Sequence, residues 1–152
     1  MDYSFSKRSK AFKDGLKFLI DAEDFEKFVK DESFYLLNNG YVYSGKHKLL
    51  HRILMNAPDG MFVDHINGNK LDNRKTNLRI CTQQENNMNR GKNKNNTSGF
   101  KGVTFHKQTQ KLQALIRIDG KYKFLGLFEK AEDAYEAYKK AAVKLHGDFA
   151  HF

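Results

Sequence analysis

The sequence predicts an α+β chain made of two small units, and three observations carry that prediction. Short runs with strand-like alternation are interleaved with runs of helical spacing, so neither element type dominates. The stretch 89–98 (NRGKNKNNTS) is Asn-rich, basic and nearly free of apolar groups, so it cannot build a core and divides the chain near residue 95. After it the pattern changes to three strand-like runs followed by one long helical run. With 152 residues in all, each half is marginal in core size, and a bound metal or polyanion would help to order it.

In the first half, residues 21–29 (DAEDFEKFV) are expected to form a short helix. Acidic residues crowd its first turn, and Phe25, Phe28 and Val29 recur at helical spacing as its buried face. Residues 33–37, from Ser33, and residues 41–43 are aromatic-rich and flank Asn38-Asn39-Gly40, a hairpin signal. Residues 49–55 (LLHRILM) fit a helix or a strand; helix is preferred, ended by Pro58 and Gly60. Residues 61–66 read as a strand entering the Asn67-Gly68-Asn69 turn, and residues 77–81 as its partner. Thr82 caps a helix over 83–88, with Glu85 completing a capping box.

In the second half, residues 102–106, 112–118 and 121–127 are expected to be antiparallel strands, with Asp119-Gly120 as a two-residue turn. Residues 131–145 form a helix ended by Gly147, with Ala134, Ala137, Tyr138, Ala141 and Leu145 against the sheet. Alternation turns Val103, Phe105, Ala114, Ile116 and Ile118 toward the helix. It turns Thr104, His106, Gln113, Leu115 and Arg117 outward, with Lys101, Tyr122 and Phe124 alongside.

Composition narrows the function classes. One Cys excludes a disulfide framework and a four-Cys zinc site. No apolar run approaches the roughly 20 residues of a membrane span, and the N-terminus lacks a signal core, so a cytoplasmic protein with no membrane partner is expected. The formal charge is +9, and all of that excess lies in residues 61–128, which hold 13 Lys/Arg and 4 Asp/Glu. Charge concentrated in this way fits a track along a phosphate backbone. Arg90, Lys92 and Lys94 place the 89–98 stretch along DNA, against the alternative of an inert tether.

The chemistry concentrates in Val63-Asp64-His65-Ile66-Asn67-Gly68-Asn69, followed by Asn77-Leu78-Arg79 and Gln84-Glu85-Asn86. Strand, turn, strand and helix in this order bring a strand end and a helix face together. Phosphodiester hydrolysis needs a base to activate water and a cation to neutralise charge. His65 is a base with a reference pKa near ~6.5, and Asp64 and Asn86 are hard oxygen donors suited to Mg²⁺. Asn86 adjoins Asn87, and spacing favours Asn86.

Residues 49–89 resemble HNH endonucleases of the His-Asn-Asn subtype, as found in phage and intron homing enzymes. The matching residues are His51-Arg52, 64–69, Leu71-Asp72-Asn73-Arg74, 77–79 and 84–86. Zinc-stabilising Cys pairs present in some HNH proteins are absent, and the subtype does not require them. The resemblance implies a ββα-metal (His-Me finger) fold with one divalent cation, Mg²⁺ or Mn²⁺. His65 would be the general base, Asp64 and Asn86 the metal ligands, and Asn77 the residue fixing the base's loop. His51 would either touch the scissile phosphate or pack beneath the site.

Residues 97–152 resemble the plant ethylene-response (AP-two/ERF) DNA-binding domain. The matching stretches are 98–103 (SGFKGV), 114–117 (ALIR), 125–128 (LGLF), 131–134 (AEDA) with Ala137-Tyr138, and His146-Gly147. That family lays a three-stranded sheet, packed on one helix, in the major groove. The resemblance places Lys101, Thr104, His106, Leu115, Arg117, Tyr122 and Phe124 at DNA-contacting positions, and Lys111 adds charge to the same module. Hydrophobic packing at a sheet edge is the alternative for Tyr122 and Phe124. The expected organisation is a nuclease domain over 1–88, a basic linker over 89–98 and a reading domain over 99–152. The expected activity is a monomeric phage-type homing endonuclease that nicks one strand of double-stranded DNA. A DNA-binding regulator with a decayed nuclease is disfavoured by the intact Asp64, His65, Asn77 and Asn86 set. An RNA-binding accessory protein remains a third class.

Overall fold

The structure is a computed structural model that describes residues 2–4, 17–29, 34–45 and 48–152, with side chains from residue 18 onward. Ser33, the expected start of the first hairpin, lies outside the described residues. Two compact units divide the chain, Met1–Gln83 and Gln84–Phe152.

In the first unit β1 (Asp2–Ser4) pairs antiparallel with β2 (Lys17–Leu19), and α1 (Ala22–Phe28) follows. β3 (Phe34–Leu36), β4 (Val42–Ser44) and β5 (Lys48–Leu49) form a meander around the Asn38–Gly40 turn, where Gly40 takes φ 86°. α2 (Leu50–Met55) ends at Asn56 in the left-handed region, just before Pro58. β6 (Phe62–His65) and β7 (Leu78–Cys81) form a separate antiparallel ladder. Phe18, Ile20, Val29, Phe34, Val42, Leu50, Leu54, Val63 and Leu78 form one buried cluster, with Phe25 and Phe28 partly buried against it.

The loop between β6 and β7 carries the motif residues, and contacts distant in sequence hold it in place. Leu19 donates its N–H to the Leu71 carbonyl, and its own carbonyl accepts from Asn73 N–H, both at 2.8 Å. Asp21, at the start of α1, accepts the Lys75 N–H at 2.8 Å instead of capping its own helix. Asp24 is buried on α1 and takes the Lys75 ammonium at 2.6 Å, which satisfies an otherwise unfavourable buried charge. The acidic first turn that favours the helix dipole therefore also anchors the loop.

In the second unit α3 (Gln83–Asn89) leads into irregular backbone and then β8 (Val103–His106), β9 (Lys111–Ile118) and β10 (Lys121–Phe128). β9 is central in the antiparallel sheet, and α4 (Ala131–His146) packs on one face. The buried stripe of α4 is Ala134, Tyr138, Ala142 and His146, a strict i, i+4 row. Ala137, Ala141 and Leu145 flank it, so the sequence pattern is rotated slightly from the true contact line. Phe105 departs from expectation. It is 49% exposed, because it lies toward the β8–β9 turn, outside the cluster of Val103, Ala114 and Ala134. A bulge between Phe124 and Gly126 shifts the register of β10 by one residue, while alternation puts Leu125 inward and leaves Phe124 outside.

The basic 89–98 stretch is not a plain tether. Asn89 closes α3 and is buried. Ser98 Oγ donates to the Val103 carbonyl at 2.7 Å, and Asn96 Oδ1 accepts the Gly99 N–H at 2.8 Å. Its polar end is thus built into the start of the sheet. Gly102 sits there at φ 74°, and a Cβ would lie 2.1 Å from Tyr138 Cδ2 and 2.8 Å from the Leu115 carbonyl oxygen. Gly102→Ala is expected to destabilise the second unit by about 3 kcal/mol or more, from overpacking plus backbone strain. A urea midpoint equal to the parent's would contradict this.

Candidate active site

β6 ends in Asp64 and His65, which the pleat sends to opposite faces. Both are buried, at 6% and 5% exposure. Asp64 lies opposite Arg79 in the ladder, and Arg79 Nε and Nη2 both donate to its Oδ2, at 2.9 and 2.7 Å. A carboxylate this deep requires a countercharge, and Arg79 supplies it. The motif reading included Arg79 without a role. The available signal was the hairpin register, which sets an Arg directly across from an Asp.

His65 stands among three groups brought by other elements. Its Nε2 is 3.4 Å from Asn73 Oδ1, its ring meets that of His51 on α2 edge-on at 5.1 Å, and the Tyr41 ring is 6.0 Å away. Tyr41 also lies 5.1 Å from His51 and carries the Lys70 ammonium over its face at 4.4 Å. Asn73 belongs to the matched Leu71–Arg74 stretch, which carried no role for it, and Tyr41 was not singled out as a site residue because it arrives by tertiary folding from the β3–β4 loop. Burial lowers the His65 pKa, with Asn73, Asp64 and Asp72 acting in the opposite sense. The neutral imidazole is therefore the dominant form at neutral pH, as a base requires.

Asn77 braces the turn after His65 from three directions. Its Oδ1 accepts the Asn67 N–H at 3.0 Å, its Nδ2 donates to the Asp72 carbonyl at 2.8 Å, and its own carbonyl accepts the Ile66 N–H at 2.9 Å. Asp72 in turn takes a two-pronged contact from Arg74, Nε to Oδ1 and Nη2 to Oδ2, both 2.7 Å. That contact with Arg74 lowers the Asp72 pKa. Arg52 has a structural place: its guanidinium donates to the Met61 and Pro58 carbonyls and ties down the loop between α2 and β6.

His51 packs beneath His65, with 4% exposure and, among the described residues, no hydrogen-bond partner for its Nδ1. Burial, then the charges of His65 and Arg52, push its pKa down to about 3 from 6.5. A folded pKa below the unfolded one means that the unfolded chain takes up the proton first. Stability is therefore complete above pH 6.5 and is lost as pH falls below it. Between about pH 6 and 5 the slope is expected to approach 1.4 kcal/mol per pH unit per such histidine. Thermal melts of the parent and of His51→Phe test this: the variant should show a flatter slope, and an equal slope would remove His51 as the source.

Asn86 sits on α3, half-buried, while Asn87 is exposed. From Gln84 onward α3 belongs to the second unit.

The outer face of the second unit's sheet carries most of the other expected residues in cross-strand rows. Thr104 pairs with Gln113, Leu115 with Phe124, and Arg117 with Tyr122. Tyr122 and Phe124 are 71% and 56% exposed, which is not edge packing. Arg117 is exposed, with its guanidinium 5.9 Å from the Tyr122 ring centre and its Nε donating to the Gly120 carbonyl. Thr104 accepts from Gln113, His106 is half-buried beside Thr109, and Lys111 pairs with Glu129. Arg90, Lys92 and Lys94 are exposed in the segment before the sheet. Lys101 does not face outward as expected. It lies just before β8, between Gly99 and Gly102 at φ 81° and 74°, where strand alternation does not apply. Its ammonium donates inward to the Met88 and His151 carbonyls at 2.8 and 3.0 Å.

Residues 35–88 match the HNH endonuclease family. Protein 3.8 of Escherichia phage T7 is 34% identical over 98 residues, covering 62% of this chain and 78% of that protein. A protein of Acanthamoeba polyphaga mimivirus, named as an uncharacterized HNH endonuclease, is 30% identical over 130 residues, or 80% of this chain and 67% of its own length. An SPbeta prophage-derived protein of Bacillus subtilis (strain 168), whose name carries the words HNH homing endonuclease, is 34% identical over 76 residues, 41% of this chain and 44% of that one. No solved structure gives a significant match. With His65, Asp64 and the Asn77-braced loop inside the matched region, the chain belongs to the HNH endonuclease family and is a nuclease hydrolase.

Proposed function

We propose that the chain is a metal-dependent endonuclease of the ββα-metal type that nicks one strand of double-stranded DNA. The observation that carries this reading is the setting of His65: buried at a strand end, against Asn73 and His51, with the following turn braced by Asn77. His65 removes a proton from the attacking water, Asn77 holds the loop that aims His65, and His51 supports its ring from beneath. Asp64 and Asn86 are the ligands for one divalent cation, with Mg²⁺ the expected ion.

The donor set suits such an ion. Among the described residues no three His, Cys, Asp or Glu side chains converge as a metal-holding group. A carboxylate and an amide oxygen are hard donors, and Mg²⁺ commonly keeps several waters and adds substrate phosphate to few protein ligands. When bound, the cation supplies charge neutralisation at the phosphate and at the leaving oxygen. The Arg79 guanidinium already holds the Asp64 carboxylate in place.

The second unit is proposed to bind DNA in the manner of an AP-two/ERF domain. Its outward rows of Thr104, Leu115, Arg117, Tyr122 and Phe124 support this, because they put polar, cationic and aromatic side chains on one sheet face and the major groove admits β-structure. Nuclease, linker and reading segments over 1–88, 89–98 and 99–152, a monomeric state and a homing-type role in a phage-infected cytoplasm belong to the same proposal. Among the described residues no helix is long and apolar enough to cross a membrane.

The test uses supercoiled plasmid carrying candidate target DNA, incubated with protein and either Mg²⁺ or EDTA. Open-circular product only with Mg²⁺ is the expected result. Equal cleavage in EDTA would overturn metal dependence, and linear product without an open-circular precursor would overturn nicking.

A further inference from the structure

α3 is seven residues long, too short to be a stable helix on its own. What it is tied to therefore decides where Asn86 stands. Two side-chain bonds within the second unit tie it, one at each end. Gln84 Nε2 donates to Asp119 Oδ1 at 2.7 Å, and Asp119 forms the β9–β10 turn with Gly120. At the other end Lys101 Nζ donates to the Met88 carbonyl at 2.8 Å and to the His151 carbonyl at 3.0 Å, with the Tyr138 ring 5.8 Å away. Carbonyls in the last turn of a helix lack internal partners and carry the negative end of its dipole, so an ammonium there is stabilising. Burial lowers the Lys101 pKa to about 8, which marks an ammonium withdrawn from water.

We propose that Lys101 and the Gln84–Asp119 pair are positioning residues that fix α3, and with it Asn86, to the DNA-reading sheet. The second unit then sets a cation ligand as well as DNA contacts. The β9–β10 turn, a neighbour of the outward rows, is directly bonded to the helix that carries the ligand. This inference rests on the reading of Asn86 as a cation ligand. It also reassigns Lys101 from the DNA surface to the interior of the unit.

The experiment uses the full chain with Lys101→Met and Gln84→Ala, the second at an exposed helix position where alanine is itself a better helix former. Three quantities are measured: amide exchange across α3, DNA affinity in EDTA against salt, and the Mg²⁺ concentration for half-maximal nicking. For each variant, exchange in α3 and the Mg²⁺ requirement should both rise about tenfold, the scale of one lost hydrogen bond. DNA affinity and its salt slope should stay at parental values. Parental exchange in both variants would overturn the clamp. A salt slope reduced by roughly 0.9 in Lys101→Met would make Lys101 a phosphate contact and also overturn it. If Lys101→Met fails to fold, Gln84→Ala alone decides. Asn86→Ala separates the underlying reading: a parental Mg²⁺ requirement there would reject Asn86 as a ligand, while the exchange data still decide the clamp.

Discussion

His65→Ala is expected to lower the nicking rate by about 10²–10⁴ while leaving DNA binding in EDTA within a few-fold of the parent, because loss of a general base removes a catalytic step and not a binding surface. The separation between rate and affinity is sharp because His65 is buried, and its neighbours within the first unit are Asn73, His51 and Tyr41. Unimpaired nicking by His65→Ala would place the base elsewhere. Asn86→Ala should behave differently. Its defect acts through the cation, so excess Mn²⁺ should restore part of the rate, whereas His65→Ala should stay inactive at any cation concentration. Full activity of Asn86→Ala at low cation would transfer the ligand role to Asn87.

These outcomes also bear on how the site was legible in sequence. Asp64, His65 and Asn77 stood out because their types and spacings sit on one local unit, a hairpin with a long loop, whose geometry follows from register. Asn77 bonds backbone groups ten and five residues away, within reach of a motif reading. The groups that hold the loop in place were not legible. Leu19, Asp21 and Asp24 reach it from some fifty residues upstream, through contacts that leave no period in the sequence. Tyr41 is similar: nothing local marks an aromatic in a hairpin loop as a neighbour of two histidines.

In the second half, strand and helix positions followed from alternation and helical spacing almost to the residue. The errors came where backbone conformation breaks the period. Lys101 lies between two glycines at positive φ, so its neighbours' alternation could not give its direction. Phe105 obeys alternation but extends past the buried cluster, a matter of helix length and placement that period two does not encode.

The outward face of the second unit's sheet is where DNA contacts are expected to register most strongly. Replacing Lys111 and Arg117 together with alanine should lower the salt slope of DNA binding by roughly 0.9 for each of them that contacts phosphate. Arg117→Ala alone should cost about 1–3 kcal/mol, and should relax sequence choice if its fork reads a base edge. Tyr122→Ala and Phe124→Ala provide the control on stability. Both rings are mostly in solvent, so their loss should change unfolding free energy by no more than about 0.5 kcal/mol. A residue that stabilises the sheet edge would show the opposite pattern, with lower stability and unchanged affinity. If all of these variants bind DNA with parental affinity and slope, recognition resides in the first unit, and the sheet has no reading role. If only the charge variants respond, the unit follows the backbone without reading bases, since phosphate contacts set register but carry no direct sequence information.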